Sequence, residues 1–145
     1  SGAERLGLSN IEACTGNAAE HNSGLEGADK VLCDVPCSGF GVIRKKPEIR
    51  YKKTEALSEL YDIQYRILEN AASYLKRGGE LVYSTCTLNR CENEDITERF
   101  LKEHSDFEKV PFFAEYGEPF GDYKAVLGAY GPDSDGFYIS KIKRN

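Results

Sequence analysis

The sequence predicts a single α/β domain on a mainly parallel β-sheet, because short strand-like runs alternate with longer helical ones. The chain has 145 residues, about the length of one compact domain. Hydrophobic residues make up 40% of it and charged residues 30%, a composition typical of a globular protein. No apolar run approaches the ~20 residues that a membrane-spanning helix needs, so we expect no membrane partner.

The net charge and the cysteines limit the possible partners and the cellular compartment of the protein. The net charge is −5, which counts against a nucleic-acid partner unless the basic residues are clustered. Five cysteines without a secretion signal indicate reduced thiols in a cytoplasmic protein, and an odd number fits a closed disulfide framework poorly. The chain has no initiator methionine and no methionine elsewhere, so we expect it to be part of a longer protein.

Three runs predict the first strands of the sheet. Residues 9–14 form a short possible strand. Residues 30–35 are nearly continuously apolar, as is typical of a central parallel strand, and residues 80–86 form another such run.

A long helix is predicted between the second and third strands. Thr54 is a plausible N-cap, and the pair Gly78-Gly79 is expected to end the helix and turn the chain into the next strand. Strand, helix and strand together predict one right-handed crossover. Apolar residues recur mostly at three- and four-residue steps at Leu57, Leu60, Tyr61, Ile67, Leu68, Ala71 and Leu75.

A second helix is predicted over residues 92–104, with an acidic start that suits the positive end of the helix dipole. Its side chains Ile96, Phe100 and Leu101 are expected to face the sheet. Residues 107–113 and 137–142 are predicted to form a closing pair of strands, joined by a long loop rich in Gly, Pro and Tyr.

Two cysteines follow predicted strands, where active sites of parallel sheets are found. Cys37 comes just after the second strand and Cys86 ends the third. If the strands are neighbours, their axes lie roughly 5 Å apart and both thiols face one cleft. Asp34 at the strand tip would share that cleft, and its carboxylate needs an explanation because burying an unpaired charge is costly.

A structural role is the alternative for each cysteine, because cysteine often packs as a small hydrophobe. We expect that role for Cys33 in mid-strand, for Cys14 and for Cys91. Position alone leaves both roles open for Cys37 and Cys86. A zinc site is not expected, because the spacings are Cys-x3-Cys and Cys-x4-Cys and Cys33 is held in a strand.

Several motifs together resemble the Sun-type RNA (cytosine-5) methyltransferases. Residues 34–39 read Asp-Val-Pro-Cys-Ser-Gly, and residues 84–87 read Ser-Thr-Cys-Thr, with Glu-Asn-Glu following at 92–94. Residues 41–44 and 47–49, together with the ending Asp-Gly-Phe-Tyr at 135–138, are similar to the bacterial small-subunit rRNA enzymes. The resemblance covers nearly the whole chain, and two cysteine motifs in order form a specific signal.

The resemblance implies a Rossmann-like domain that uses S-adenosylmethionine, of which residues 1–145 are the C-terminal part. It implies that Cys86 is the nucleophile that forms a covalent adduct with cytosine, and that Cys37 is needed to release the methylated RNA. Asp34 would hydrogen-bond near the cytosine edge and the cofactor. Asn17 and Pro36 are the other expected cofactor contacts, with Asn17 standing where the family usually has Asp.

The family's glycine-rich cofactor loop, and the acidic residue after the next strand, have no counterpart in this sequence. We therefore do not expect the chain alone to bind the cofactor tightly. In the family, two further strands separate the first and second strands predicted here. Without them the strand at residues 30–35 is an open edge, which predicts a dimer, a strand swap or a rearranged N-terminus.

A basic cluster follows Cys37 and is predicted to bind RNA phosphates, with Tyr51 stacking on a base. The alternative is a solvated charged loop. The cluster comprises Arg44, Lys45, Lys46, Arg50, Lys52 and Lys53.

These observations predict an rRNA cytosine-5 methyltransferase acting on small-subunit rRNA. One alternative is a non-catalytic RNA-binding or scaffolding domain derived from the same fold. Another is a methyltransferase that acts on protein or DNA through a similar Asp-x-Pro motif. The presence of both cysteines favours the RNA enzyme.

Overall fold

The computed structural model describes residues 2–52, 57–112, 123–125 and 135–145. The predicted N-cap Thr54 and the basic residue Lys53 lie outside them. No helix in these ranges is long and apolar enough to cross a membrane. The helices and strands are α1 (Gly2–Arg5), β1 (Ala28–Asp34), α2 (Leu57–Ser73), β2 (Leu75–Thr85), α3 (Glu94–Glu103), β3 (Phe107–Lys109), β4 (Tyr123–Ala125) and β5 (Phe137–Arg144).

The described strands form one mixed sheet in the order β1-β2-β5-β3, with β4 also paired to β5. β1 and β2 are parallel, whereas β5 is antiparallel to β2, β3 and β4. The expectation of a mainly parallel sheet is therefore wrong for the described residues. Helices α2 and α3 carry the chain between β1, β2 and β3, which share one direction, and β5 returns between β2 and β3 in the opposite direction.

Two local predictions of secondary structure are wrong. Residues 9–14 are not a strand but an exposed irregular segment, and no strand in the described ranges pairs with them. The pair Gly78-Gly79 does not cap α2, which ends at Ser73. Pairing of β1 with β2 begins earlier, because the Ala28 N–H donates to the Tyr74 carbonyl at 2.8 Å.

The two glycines instead form an irregularity inside β2. The register passes from Ala28↔Leu75 to Lys30↔Glu80, so β2 contains extra residues that β1 does not match. Gly78 takes a φ of +78°, in the left-handed region that glycine tolerates best.

The core lies between one face of the sheet and helices α2 and α3. Ile96 and Phe100 are buried as expected, and Leu101 is partly buried against them. Cys33 is also buried, and this burial, with a smaller effect of the Asp34 charge, raises its pKa to about 12. Cys33 thus fits the expected structural role. The largest fully buried side chains here are Tyr83, Tyr138, Phe100, Leu68, Leu75, Leu81 and Ile142.

The β1-β2 pair brings two loops side by side. Asp34 is opposite Ser84 at the ends of the two strands, and the Val35 N–H donates to the Ser84 carbonyl at 3.2 Å. The loop after β1 contains Cys37, and the loop after β2 begins at Cys86.

Strand β1 is an edge of the described sheet, as expected, and its residue Leu32 is 74% exposed. Because the unpaired N–H and C=O groups of an edge strand can pair with another chain, we expect the 145-residue chain to self-associate. Light scattering after size-exclusion chromatography should show a molar mass that rises with protein concentration. Leu32→Lys should reduce this rise, because a charge on the edge strand disfavours pairing with another chain.

The matched control is Leu6→Lys, because Leu6 is also well exposed but lies outside the sheet. A monomer at every concentration would contradict association through β1, and so would an equal effect of both substitutions.

Candidate active site

The loops after β1 and β2 place two thiols in contact. The sulfur atoms of Cys37 and Cys86 are 3.0 Å apart, and both residues are half-buried. This adjacency is what the position of the two cysteines after neighbouring strands leads one to expect.

The surroundings of Cys37 favour its neutral thiol form. Burial, and then the hydrogen bond between the two thiols, raise the pKa of Cys37 to about 12. Cys37 therefore stays a neutral thiol at neutral pH. Since the thiolate is the nucleophilic form of cysteine, this arrangement disfavours Cys37 as the attacking group.

Residues directly after each cysteine tie the two loops together. The hydroxyls of Ser38 and Thr87 are 2.9 Å apart and fully buried. Each follows one of the cysteines in sequence, so this hydrogen bond fixes the loops next to the sulfurs themselves.

A close backbone contact supports the Cys86 loop from the other side. The Gly41 N–H donates to the Cys86 carbonyl at 3.0 Å, and the Gly136 N–H donates to the Gly41 carbonyl at 2.7 Å. A Cβ at Gly41 would lie 1.9 Å from the Gly136 carbonyl oxygen, so this position accepts only glycine without a shift of the backbone. The C-terminal Asp-Gly motif is thus part of the site.

Asn93 holds the two threonines that flank Cys86. Thr85 Oγ1 donates to Asn93 Oδ1 at 2.6 Å, and Asn93 Nδ2 donates to the Thr87 carbonyl at 3.0 Å. Asn93 is fully buried at the start of α3, so the helix position fixes the loop.

Glu92 lies fully buried beneath both loops, and the sequence did not predict this position. Its carboxylate accepts from the Ser38 N–H at 2.8 Å, from Gln64 Nε2 at 3.0 Å and from Asn89 Nδ2 at 2.9 Å. The sequence pattern indicated only an acidic helix start. The position of Glu92 in the Glu-Asn-Glu motif was the one available signal.

Asp34 lies at the exposed end of β1, and its carboxylate accepts a hydrogen bond from Ser84 Oγ at 2.8 Å. It lines a cavity of about 530 Å³ beside the open edge of the sheet, together with Asn17. Pro36 is exposed and is not one of the residues that line this cavity. The structure thus brings two of the three predicted cofactor residues together.

The cavity suits a small polar-edged molecule. Its volume is within the range of ligand sites, and its wall combines apolar side chains such as Val31 and Ile67 with the Asp34 carboxylate. Asn17 adds an amide that donates to Glu20 and accepts from the Ala19 N–H. The lining thus offers an apolar wall to a flat ring and polar groups to its edges.

Cys14 also lines the cavity and is exposed, which corrects its expected burial as a structural residue. The reason is that residues 9–14 do not join the sheet. Cys91 is likewise exposed, in the short 3-10 helix Arg90–Glu92.

The basic segment packs against the loop that carries Cys37. Ile49, in the 3-10 helix Pro47–Tyr51, is buried, and Lys52 Nζ donates to the Ser38 carbonyl at 2.8 Å. Lys45 forms a 2.6 Å ion pair with the mostly buried Asp135, so part of its charge is already balanced. Tyr51 is 86% exposed. Exposed residues of the segment also include Arg44, Lys46 and Arg50.

Comparison with known proteins identifies relatives along the whole chain. The family model described as 16S rRNA methyltransferase RsmB/F matches residues 1–143. The "Probable ribosomal RNA small subunit methyltransferase B" of Bacillus subtilis (strain 168) is 48% identical over 155 residues, covering 98% of this chain and 34% of the relative. The "tRNA (cytosine(34)-C(5))-methyltransferase" of Drosophila melanogaster is 53% identical over 76 residues, covering 52% of this chain and 10% of the relative.

A solved structure supports the fold. NSun6 from Pyrococcus horikoshii, solved with SFG, matches with a TM-score of 0.79 and 26% identity, covering 98% of this chain and 36% of that one. The chain thus spans about a third of the length of the Bacillus subtilis relative and of this structure. Its sheet and helices have the Rossmann-like fold of S-adenosylmethionine-dependent methyltransferases. With a family match over nearly all of its residues, the chain belongs to the 16S rRNA methyltransferase RsmB/F family.

Proposed function

We propose that this chain is the C-terminal part of the catalytic domain of an RNA cytosine-5 methyltransferase that uses S-adenosylmethionine, with small-subunit rRNA as its substrate. The observation that carries the proposal is the contact of Cys37 and Cys86 at 3.0 Å, at the ends of neighbouring parallel strands. Family membership supports the reaction, and the basic segment beside Cys37 supports an RNA substrate.

A thiol is needed because carbon 5 of cytosine is a poor nucleophile. The Cys86 thiolate bonds to carbon 6, the electrons of the C5–C6 double bond move toward carbon 5, and that carbon becomes nucleophilic. S-adenosylmethionine, when bound, supplies the electrophilic methyl group. Transfer of the carbon 5 proton to solvent water and cleavage of the C6–S bond then restore the double bond and return the Cys86 thiolate.

Cys37 acts in the release of the methylated base in this proposal. Its raised pKa keeps it a thiol, so it does not compete with Cys86 for carbon 6. Its contact with the Cys86 sulfur places it beside the C6–S bond that must break.

The cavity beside β1 is the proposed cofactor site. Asp34 at its active-site end would hold the cofactor and the cytosine edge, and Asn17 would accept a hydrogen bond from the adenine amino group. Pro36 would act through the course of the loop that joins Asp34 to Cys37, because it is not one of the residues lining the cavity.

Trapping on RNA tests the roles of the two cysteines in the full-length protein. With RNA containing 5-fluorocytosine, the wild type should form a stable adduct because fluorine at carbon 5 prevents the last elimination. Cys86→Ser should abolish the adduct, because a serine hydroxyl is a much weaker nucleophile at neutral pH. With ordinary RNA, Cys37→Ser should accumulate adduct that the wild type releases. Denaturing gel electrophoresis measures both.

Cys91→Ser is the matched control, because Cys91 is exposed and outside the pair. An adduct that survives Cys86→Ser would remove Cys86 as the nucleophile. Absence of any adduct in the wild type, with RNA binding intact, would instead favour a non-catalytic RNA-binding domain.

Salt-dependent binding tests the basic segment. Lys46→Glu and Arg50→Glu should each weaken RNA binding and lower the slope of log K against log salt by ~0.7, the contribution of one phosphate contact on single-stranded nucleic acid. Lys45→Glu should do so less, because Asp135 already pairs with Lys45. Filter binding at several salt concentrations measures these slopes.

Lys102→Glu provides the control, since it makes the same charge change on the exposed side of α3, away from the segment. Equal slopes for all the variants would show that the segment is a solvated loop and not an RNA contact.

A further inference from the structure

The candidate active site contains a buried carboxylate to which the proposed chemistry assigns no role. Glu92 is fully buried, and in the described part of the chain its partners are neutral donors rather than cations. Burying a carboxylate is costly unless its hydrogen bonds are good, and here three donors converge on it. The site therefore keeps a strongly polar group that an apolar core would avoid.

The orientation of Gln64 shows how strongly this carboxylate organises its surroundings. Gln64 Nε2 lies 2.9 Å from the Pro36 carbonyl oxygen and 3.0 Å from Glu92 Oε2, and both of these atoms can only accept. The amide orientation is thereby fixed. Gln64 Oε1 is left buried without a partner among the described residues. The local packing thus tolerates an unpaired oxygen in order to supply a donor to Glu92 and to the loop before Cys37.

Glu92 contacts both cysteine loops, but at different separations in sequence from the two cysteines. On the Cys86 loop it accepts from Asn89 Nδ2, three residues beyond the cysteine. Glu92 binds the N–H of Ser38 directly and reaches Pro36 through Gln64, so it holds the residues on both sides of Cys37. Cys86 is held chiefly by Asn93, which bonds both of its flanking threonines, and its carbonyl accepts from the N–H of Gly41, four residues beyond Cys37. Weakening Glu92 should therefore displace Cys37 more than Cys86, because Asn93 continues to hold the threonines on both sides of Cys86.

We propose that Glu92 is a positioning residue that keeps the Cys37 thiol against the Cys86 sulfur, and that it thereby acts on adduct release rather than on adduct formation. The first half concerns geometry alone. The second half rests on the proposed function, because it takes Cys37 as the group needed for release. No contact of Glu92 with substrate is involved.

The first experiment measures the geometry without RNA or cofactor. Diamide, a diazene oxidant, takes two electrons and two protons from a pair of thiols and is itself reduced to the hydrazine. At 3.0 Å the sulfurs of Cys37 and Cys86 need approach by only about 1 Å to reach the ~2.05 Å of a disulfide. Mass spectrometry follows the rate in a chain carrying Cys14→Ser and Cys91→Ser, which removes the two exposed thiols.

Glu92→Gln should slow this reaction by about tenfold, the effect of roughly 1.4 kcal/mol. Glutamine keeps the shape of the side chain but replaces one acceptor oxygen with an NH2 donor. That NH2 group would face one of the N–H donors that the Glu92 carboxylate now binds. Glu98→Gln is the matched control, since it removes the same charge from an exposed position that bonds Arg90. An unchanged rate for Glu92→Gln overturns the proposal, and so does an equal slowing by Glu98→Gln.

Loss of folding is separated from loss of positioning by thermal melting and by a second variant. Gln64→Met keeps the volume and removes the donor shared by Pro36 and Glu92, so it should slow disulfide formation by about threefold. If Glu92→Gln does not fold, Gln64→Met decides: a rate equal to that of the wild type overturns the proposal.

The second experiment measures release in the full-length protein on ordinary RNA. Glu92→Gln should still form adduct at the wild-type rate, with an unchanged KM for RNA, but should accumulate it through a lower kcat, in the manner expected of Cys37→Ser. A merely structural role would lower adduct formation as well. Slow disulfide formation with normal release would retain the geometric role of Glu92 and overturn its role in adduct release.

The two cysteine variants distinguish a failure of the proposed function from a failure of the role of Glu92 in release. If Cys86→Ser still forms adduct, or Cys37→Ser does not accumulate it, the proposed function fails whatever Glu92→Gln does. If both cysteine variants behave as proposed and Glu92→Gln releases its product normally, the role of Glu92 in release is wrong.

Discussion

The parallel pairing of β1 with β2, in a register that puts Asp34 opposite Ser84, is the constraint on which the site depends. Side chains alternate between the two faces of a strand, so a slip of one residue would turn each strand over relative to its neighbour. Because both strands end at the same level, the loops that follow leave the sheet together. A sulfur from each loop then lies within contact distance of the other, without any covalent link.

Pairing of the strands alone does not fix two flexible loops, and the additional restraint is polar rather than apolar. The buried set of Ser38, Thr87, Glu92 and Asn93 connects the residues next to each cysteine to α3 and to the 3-10 helix before it. Hydrogen bonds are directional, so they set the position of a loop more narrowly than contact between apolar side chains does. The apolar core, around Leu68 and Leu81, packs the helices against the sheet.

Local patterns predicted the parts of the fold that depend on neighbours in sequence. The apolar run around Val31, the periodicity of α2 and the order of the cysteine motifs all led to features that the structure contains. The parts that were missed depend on distant residues. Insertion of β5 beside β2 requires the C-terminal segment to return across the sheet, and the burial of Glu92 requires donors from Ser38 and Gln64. No spacing of residues within the sequence predicts these long-range contacts.

One such long-range contact, made by Asp135 and Gly136, holds both the Cys86 loop and the basic segment. Gly136 reaches Gly41 through a backbone hydrogen bond, and Gly41 in turn donates to the Cys86 carbonyl. The neighbouring Asp135 is mostly buried and pairs with Lys45. A buried carboxylate needs a partner, and Lys45 supplies it from a position four residues beyond Gly41. The ion pair therefore secures the basic segment to the same strand end that supports Cys86.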